Sequence, residues 1–264
     1  MQSKVSDEII ESLRRDISTG KLAPGTRLPS EKDLAREYGV SQPTMREVVR
    51  VLDVMGLIEV RHGSGAWVRG DGGFLLRSSL ETMLQLQNVS ILQVLDARAL
   101  LGRDSGLQAA TAATAEDIES IYNSYRRLES VGSCETLNEL IDSIAGFQLA
   151  VSQAAHNPLQ GQIEHFLIDL LLHLQFKVMS ERGLAVWKER AAEFQPDRRA
   201  ILEALERRDP AAAEGAVANY LQHQHAVFVA DPDLAELRLA DPRAVTIARE
   251  LRQSGDPRKN RRPA

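Results

Sequence analysis

Residues 28–68 read LPSEKDLAREYGVSQPTMREVVRVLDVMGLIEVRHGSGAWV, and this stretch decides the fold. Ser30 is a good helix N-cap, and Asp33, three residues on, can close a capping box over the first turn. Leu34, Ala35 and Tyr38 fall on one face of that helix, and Gly39 supplies a turn. Ser41 caps a second helix, in which Met45, Val48, Val49, Leu52 and Met55 keep the spacing of a buried stripe. Pro43 lies in its first turn, where a missing N–H is no loss. The opposite side carries Ser41, Gln42, Thr44, Arg46 and Arg50. After Gly56 the chain alternates as a strand over 57–61, turns through His62-Gly63-Ser64-Gly65, and returns over 66–68. Helix, short turn, helix and hairpin predict a winged helix-turn-helix, whose second helix fits a DNA major groove.

Upstream, Val5, Ile9, Leu13 and Ile17 recur every four residues before Gly20, which predicts an opening helix packed beneath the pair. Downstream, Gly70-Asp71-Gly72-Gly73 is too glycine-rich to hold an element and reads as a linker. Beyond Phe74 no alternating β pattern occurs, and turn signals come at helical intervals. Helices are expected near 75–86, 90–113, 114 onward, 135–155, 159–180, 184–193, 197–208 and 211–229. The fold class is therefore mainly α: an N-terminal winged helix-turn-helix followed by an all-helical antiparallel bundle of six or seven helices. The natural binding site of such a bundle is a central cavity. The expected divisions are 1–69 for the DNA-binding domain, 70–74 for the linker, 75–229 for the bundle, and 230–264 for a partly disordered extension. In the extension Pro232 and Pro242 start short helical turns, and Arg258-Lys259-Asn260-Arg261-Arg262 reads as a solvated basic end.

At 264 residues, 43 % hydrophobic and 26 % charged, the chain has the balance of an ordinary globular protein of about two domains. Apolar runs fall short of a membrane span, and the N-terminus lacks a signal pattern. The single Cys134 excludes an internal disulfide framework and suits the cytoplasm. Charge does not by itself argue for DNA. Residues 1–70 carry 11 Lys and Arg against 10 Asp and Glu, and the rest carries 21 against 27. The first domain must concentrate its positive charge on one face, while the acidic remainder stays off the phosphates.

The run from Pro24 to Val68 resembles the DNA-binding domain of GntR-family bacterial transcription regulators. That resemblance implies that Lys32, Ser41, Gln42, Thr44 and Arg46 touch DNA, with Arg50 on the same face, and that His62 and Gly63 at the wing tip reach toward the minor groove. The family usually has Arg where this chain has Gln42. Arg favours guanine, whereas Gln pairs bidentately with adenine, so the operator is expected to depart from the usual half-site. The rest of the chain, over roughly 75–229, resembles the all-helical FCD ligand domain of the FadR-like branch. The resemblance rests on ILQVLDARALL, FQLAVSQAAHNPL and RRAILEALERRDPAAAEGAVANYL.

Many FCD domains hold a divalent metal through an Asp, a His four residues on, and two later His. The resemblance puts Ile144, Gln148, Arg198 and Tyr220 at those four places, and none of them is an ordinary ligand for zinc, nickel or manganese. The expectation is the family fold without the family metal, and no cofactor. Periodicity read without the family turns the same positions inward. Gln148 lies on the stripe of Ile141, Ile144 and Val151; Arg198 on that of Ile201, Leu202 and Leu205; Tyr220 on that of Ala213, Ala216 and Val217. Arg98 sits with Ile91, Val94, Leu95 and Leu101, and the resemblance matches it to an Arg that helps hold an acidic effector. An unpaired buried charge is costly, so these arginines demand partners. Two readings follow: Arg98 and Arg198 clamp a small carboxylate or phosphate directly, or each pairs with an internal acid.

His165, Asp169 and His173 follow at i+4 steps, but the set drifts by about 80° over two turns and converges poorly on a metal. His223 and His225 are two apart on a helix and face different ways. An enzyme would need a convergent nucleophile–base pair, metal set or phosphate loop, and none is present. The expected protein is a cytoplasmic, dimeric, metabolite-responsive repressor, not an enzyme, reading a pseudo-palindromic duplex operator with no membrane contact. An effector-free architectural DNA binder is the other reading.

Overall fold

The computed structural model describes residues 2–61, 63–69, 73–179 and 182–240. His62, the glycines of the linker before Gly73, and the 241–264 tail with Pro242 and the basic run lie outside the described residues. The chain divides into two compact units, Met1–Leu80 and Glu81–Ala264.

In the first unit α1 (Gln2–Ser18) packs on α3 (Gln42–Val54), and α2 (Glu31–Glu37) packs on α3 in turn. Ile9 and Leu13 of α1 meet Leu34, Met45, Val48 and Leu52, so the stripes predicted from spacing form one core. Ser30 caps α2 as expected, accepting from the Asp33 N–H at 3.2 Å. The box is only half closed, because the Asp33 carboxylate takes the Ser30 hydroxyl at 2.6 Å. Gly39 turns the chain in the left-handed region at φ 66°. The wing is an antiparallel hairpin of β1 (Ile58–Arg61) and β2 (Gly65–Val68), with Ile58 opposite Val68 and Arg61 opposite Gly65.

The division falls later than the glycine-rich linker because α4 (Phe74–Leu86) begins inside the first unit. The Arg69 guanidinium lies 4.2 Å from the Phe74 ring centre, and a Cβ on Gly56 would stand 2.5 Å from that ring. Phe74 thus closes the N-terminal core.

The second unit is the expected bundle: α5 (Ile91–Ala112), α6 (Ala115–Glu129), α7 (Leu137–Gln153), α8 (Pro158–Met179), α9 (Leu184–Glu193), α10 (Gln195–Glu206) and α11 (Pro210–Ala230). Reciprocal capping boxes start three of them, through Ser90 with Gln93, Thr114 with Asp117, and Thr136 with Glu139. The tightest pairing is α5 on α11, where Gly102 and Gly106 let the backbones approach. A Cβ on Gly106 would lie 2.8 Å from Val217 and 3.0 Å from the Ala213 carbonyl.

Residues 231–240, the start of the expected extension, form the helical turn expected at Pro232 and strap the bundle. Leu234, Leu237 and Leu239 are buried, and α12 (Pro232–Ala235) follows α11 directly. The Ile91 N–H donates to the Leu237 carbonyl and the Leu239 N–H to the Val89 carbonyl. Asp231 takes both Arg182 Nη1 at 2.6 Å and Arg182 Nη2 at 3.0 Å. These apolar residues lack a long periodic run, so their docking partner could not be read from local sequence.

Candidate DNA-reading face and effector pocket

Helix α3 turns its apolar stripe into the core, which leaves Ser41, Gln42, Arg46 and Arg50 exposed along the other side and Thr44 half-buried. Lys32, on α2, is exposed as well. Ser41 and Thr44 are partly committed to the cap: the Ser41 oxygen accepts the Thr44 N–H at 3.3 Å, and the two hydroxyls share a 2.7 Å bond. Arg46 Nε reaches Glu31 at 3.3 Å, an exposed pair of small energy that a phosphate or base can displace. Gly63 stands exposed at the wing at φ 73°. Sequence reasoning missed two cations here. The Arg27 and Arg61 guanidiniums lie 6.0 Å and 5.2 Å from the Trp67 ring centre, and Arg27 bridges to Trp67 beside the hairpin. The only local signal is Arg27's place immediately before Leu28.

In the bundle, Arg98, Gln148, Arg198 and Tyr220 are all buried, the last two at 1 % and 4 % exposure. Arg98 Nη1 donates to Gln224 Oε1 at 2.6 Å, and Nη2 donates to Gln148 Oε1. Arg198 Nη1 donates to the Ala191 carbonyl at 2.6 Å and to Gln195 Oε1 at 3.0 Å. These acceptors are neutral. Among the described residues no carboxylate lies within ion-pair distance of either guanidinium, so pairing with an internal acid is not what holds them. Burial lowers both pKa values from the ordinary arginine range, opposed by Tyr220 and Glu164 at Arg98 and by Tyr220 and Asp197 at Arg198. A guanidinium nevertheless stays charged, and the interior therefore holds two cations without a contacting counter-ion.

A small cavity of about 30 Å³, room for a water or two, opens beside Arg198. Tyr220, Gln224, Ile144, Phe194 and Phe228 line it, with Trp187, Arg190 and Ala191 from α9. Arg98 and Gln148 do not line it but reach its wall through Gln224. The sequence reading missed Trp187, Arg190, Phe194 and Gln224. Trp187, Arg190, Ala191 and Phe194 are spaced as one face of α9, and Gln224 follows Tyr220 by one turn, so both signals were there to be used.

The FCD metal does not fit this donor set. Ile144 offers no ligand, the Gln148 carbonyl is taken by Arg98, and Arg198 brings a fixed positive charge that would repel a dication. Elsewhere, His165 pairs with Asp169 at 3.2 Å while His173 Nδ1 donates to the Asp169 carbonyl at 2.7 Å, so the three side chains do not converge. His223 instead meets Asp197 at 2.7 Å and stacks on Phe194 with ring centres 4.4 Å apart. Its pKa is raised, chiefly by the Asp197 hydrogen bond. No described helix is long and apolar enough to cross a membrane.

Comparison with known proteins agrees with this geometry. Residues 5–68 match the bacterial regulatory proteins of the gntR family, and residues 93–223 match the FCD domain. An uncharacterised HTH-type transcriptional regulator of Mycobacterium tuberculosis is 31 % identical over 83 % of this chain and 88 % of its own length. The HTH-type transcriptional regulator LutR of Bacillus subtilis is 30 % identical over 59 % of this chain and 70 % of its own. The Glc operon transcriptional activator of Escherichia coli is 31 % identical over 65 % and 67 %. Among solved structures, Streptococcus agalactiae GntR shares the fold with a TM-score of 0.67 at 18 % identity, covering 86 % of this chain and all of that one.

Proposed function

This chain belongs to the GntR family of bacterial transcription regulators, with an FCD domain as its helical half, and from that premise we propose how it works. It is a DNA-binding regulator rather than an enzyme. In our reading it acts in the cytoplasm as a homodimer, because one recognition helix reads only a few base pairs and two are needed for a useful site. Lys32, Ser41, Gln42, Thr44, Arg46, Arg50, His62 and Gly63 form its DNA-reading set. The operator is pseudo-palindromic, and Gln42 shifts each half-site toward adenine. The effector is a small carboxylate received by Arg198 and Tyr220, with Arg98 and Gln148 behind them through Gln224. It binds one arrangement of the DNA-binding units better than the other and thereby relieves repression.

The observation that carries the effector reading is a buried guanidinium, Arg198, on a cavity wall with only neutral hydrogen-bond partners. A carboxylate supplies the missing charge and a bidentate geometry. Mobility-shift titration of the operator complex, beside thermal melting with small acids, tests it. Arg198→Met and Arg98→Met are expected to bind operator normally and to ignore every acid. Retained release in both variants sinks the clamp. The name of the Escherichia coli relative favours activation as a second reading. A reporter driven by the chain's own operator separates the two by the sign of its change on deletion.

A further inference from the structure

Residues 26–28 lie along the outer edge of β2. The Leu28 N–H donates to the Ala66 carbonyl at 2.9 Å, and the Val68 N–H to the Thr26 carbonyl at 2.8 Å. In this register Arg27 stands opposite Trp67, Trp67 opposite Glu59, and Arg61 opposite Gly65. Paired residues project to the same side of a sheet, so these five share one face of the wing, and Ile58 and Val68 take the other face into the core.

Two guanidiniums flank the Trp67 ring on that face, and only one of them is available. Arg61 is spent within the sheet, donating to Glu59 Oε2 from Nε at 3.1 Å and from Nη2 at 3.0 Å. Arg27 is exposed, and among the described residues no carboxylate lies within ion-pair distance of it. Its place is nevertheless defined. A Cβ on Gly65 would lie 3.3 Å from Arg27 Nε and 3.4 Å from Nη2, so the guanidinium rests on bare backbone that another residue would cover. Gly65 is also in the left-handed region, at φ 88°. The fork is thus held one residue from the exposed turn of Gly63 and Ser64.

A solvated, unpaired, planar cation suits a phosphodiester, which it can take through two parallel N–H bonds. The slim tip at Gly63 can enter a minor groove about 6 Å wide, and a guanidinium at its flank meets the phosphates that border the groove. We infer that Arg27 is a phosphate-binding residue of the DNA complex, a sequence-independent grip beside the wing that Trp67 and Gly65 hold in place. This rests on the DNA-reading proposal above and adds to it a residue outside both the helix-turn-helix and the wing turn.

Fluorescence anisotropy of the full chain over a salt series tests this on two duplexes. One is an operator selected by the unaltered chain from a random duplex pool, and the other is a scrambled duplex of the same length. Arg27→Ala is expected to weaken both by a similar factor and to lower the slope of log affinity against log salt by about one per chain. The ranking of single-base operator variants should not change. Arg27→Lys keeps the charge, so it should keep the slope and lose part of the affinity. Ethylation interference with the unaltered chain should mark a backbone phosphate beside the minor groove in each half-site, and Arg27→Ala should erase that mark. An unchanged salt slope in Arg27→Ala would reduce Arg27 to a cover for Trp67, and a changed base ranking would make it a base reader. Either result overturns the inference, while DNA reading stands if Arg46→Ala still weakens the operator. Should Arg27→Ala fail to fold, the unaltered chain decides, and the absence of any marked phosphate beside the minor groove overturns the inference. If the unaltered chain binds neither duplex, both readings fail together.

Discussion

Arg46 and Arg198 carry the same side chain in opposite circumstances. Arg46 is exposed and weakly paired with Glu31, so its charge is solvated and ready to be exchanged for a phosphate or a guanine edge. Arg198 is 1 % exposed, fixed through Nη1 by two neutral acceptors, and has an unmatched Nε on a cavity wall. The first unit keeps its functional polar groups in water and spends its interior on apolar packing. The helical unit holds polar groups inside, where a small ligand can complete them. Reading DNA and sensing an anion thus use one functional group under two dielectric regimes.

The contrast can be broken where it is widest. Arg198→Met is expected to abolish effector release completely. Thermal melting without ligand should show little change, because relief of the buried charge offsets the hydrogen bonds lost to Ala191 and Gln195. A large loss of stability would mean that Arg198 is structural. Arg46→Ala should weaken operator binding by about 1–3 kcal/mol in a mobility-shift assay and leave effector release intact. Equal affinity would reduce Arg46 to a solvated pair with Glu31. Gly106→Ala sharpens the packing side of the comparison. The added methyl meets Val217 and the Ala213 carbonyl, so the melting midpoint should fall by the equivalent of about 1–3 kcal/mol.

The smallest effects are those of pH. Arg182 holds Asp231 below the usual carboxylate range, so its contribution is complete above the unfolded value of about 3.9 and is lost as pH falls through the lowered folded value. The melting difference between the unaltered chain and Asp231→Asn should shrink over that acid window. His223, raised by Asp197, behaves in the opposite sense. Its contribution is complete below about 6.5 and fades as pH rises through the raised folded value. A His223→Asn variant should approach the unaltered chain in stability above that window. A difference that does not change with pH in either variant would remove the ion pair from the explanation.

What the sequence made legible was whatever depends on near neighbours. The caps at Ser30, Ser41, Ser90 and Thr114 are i to i+3 interactions, and each forms. The burial of Arg98, Gln148, Arg198 and Tyr220 followed from helical spacing alone. Illegible were the features set by registry between distant segments. Arg98 finds Gln224 across 126 positions, Phe74 closes over Gly56, and the strap after α11 pairs with the start of α5. Which donors stay unmatched is likewise a tertiary property. Spacing puts Trp187 on one face of α9, but that this face meets residues of α10 and α11 at the cavity is set by packing.

Elemental analysis of the chain purified without chelator bears most directly on the claim that a guanidinium takes the place of the family's metal. Transition metal is expected far below one atom per chain, with operator release by an acid that is indifferent to EDTA. One tightly held atom per chain, lost together with acid response when EDTA is added and restored with it by zinc or manganese, would contradict it.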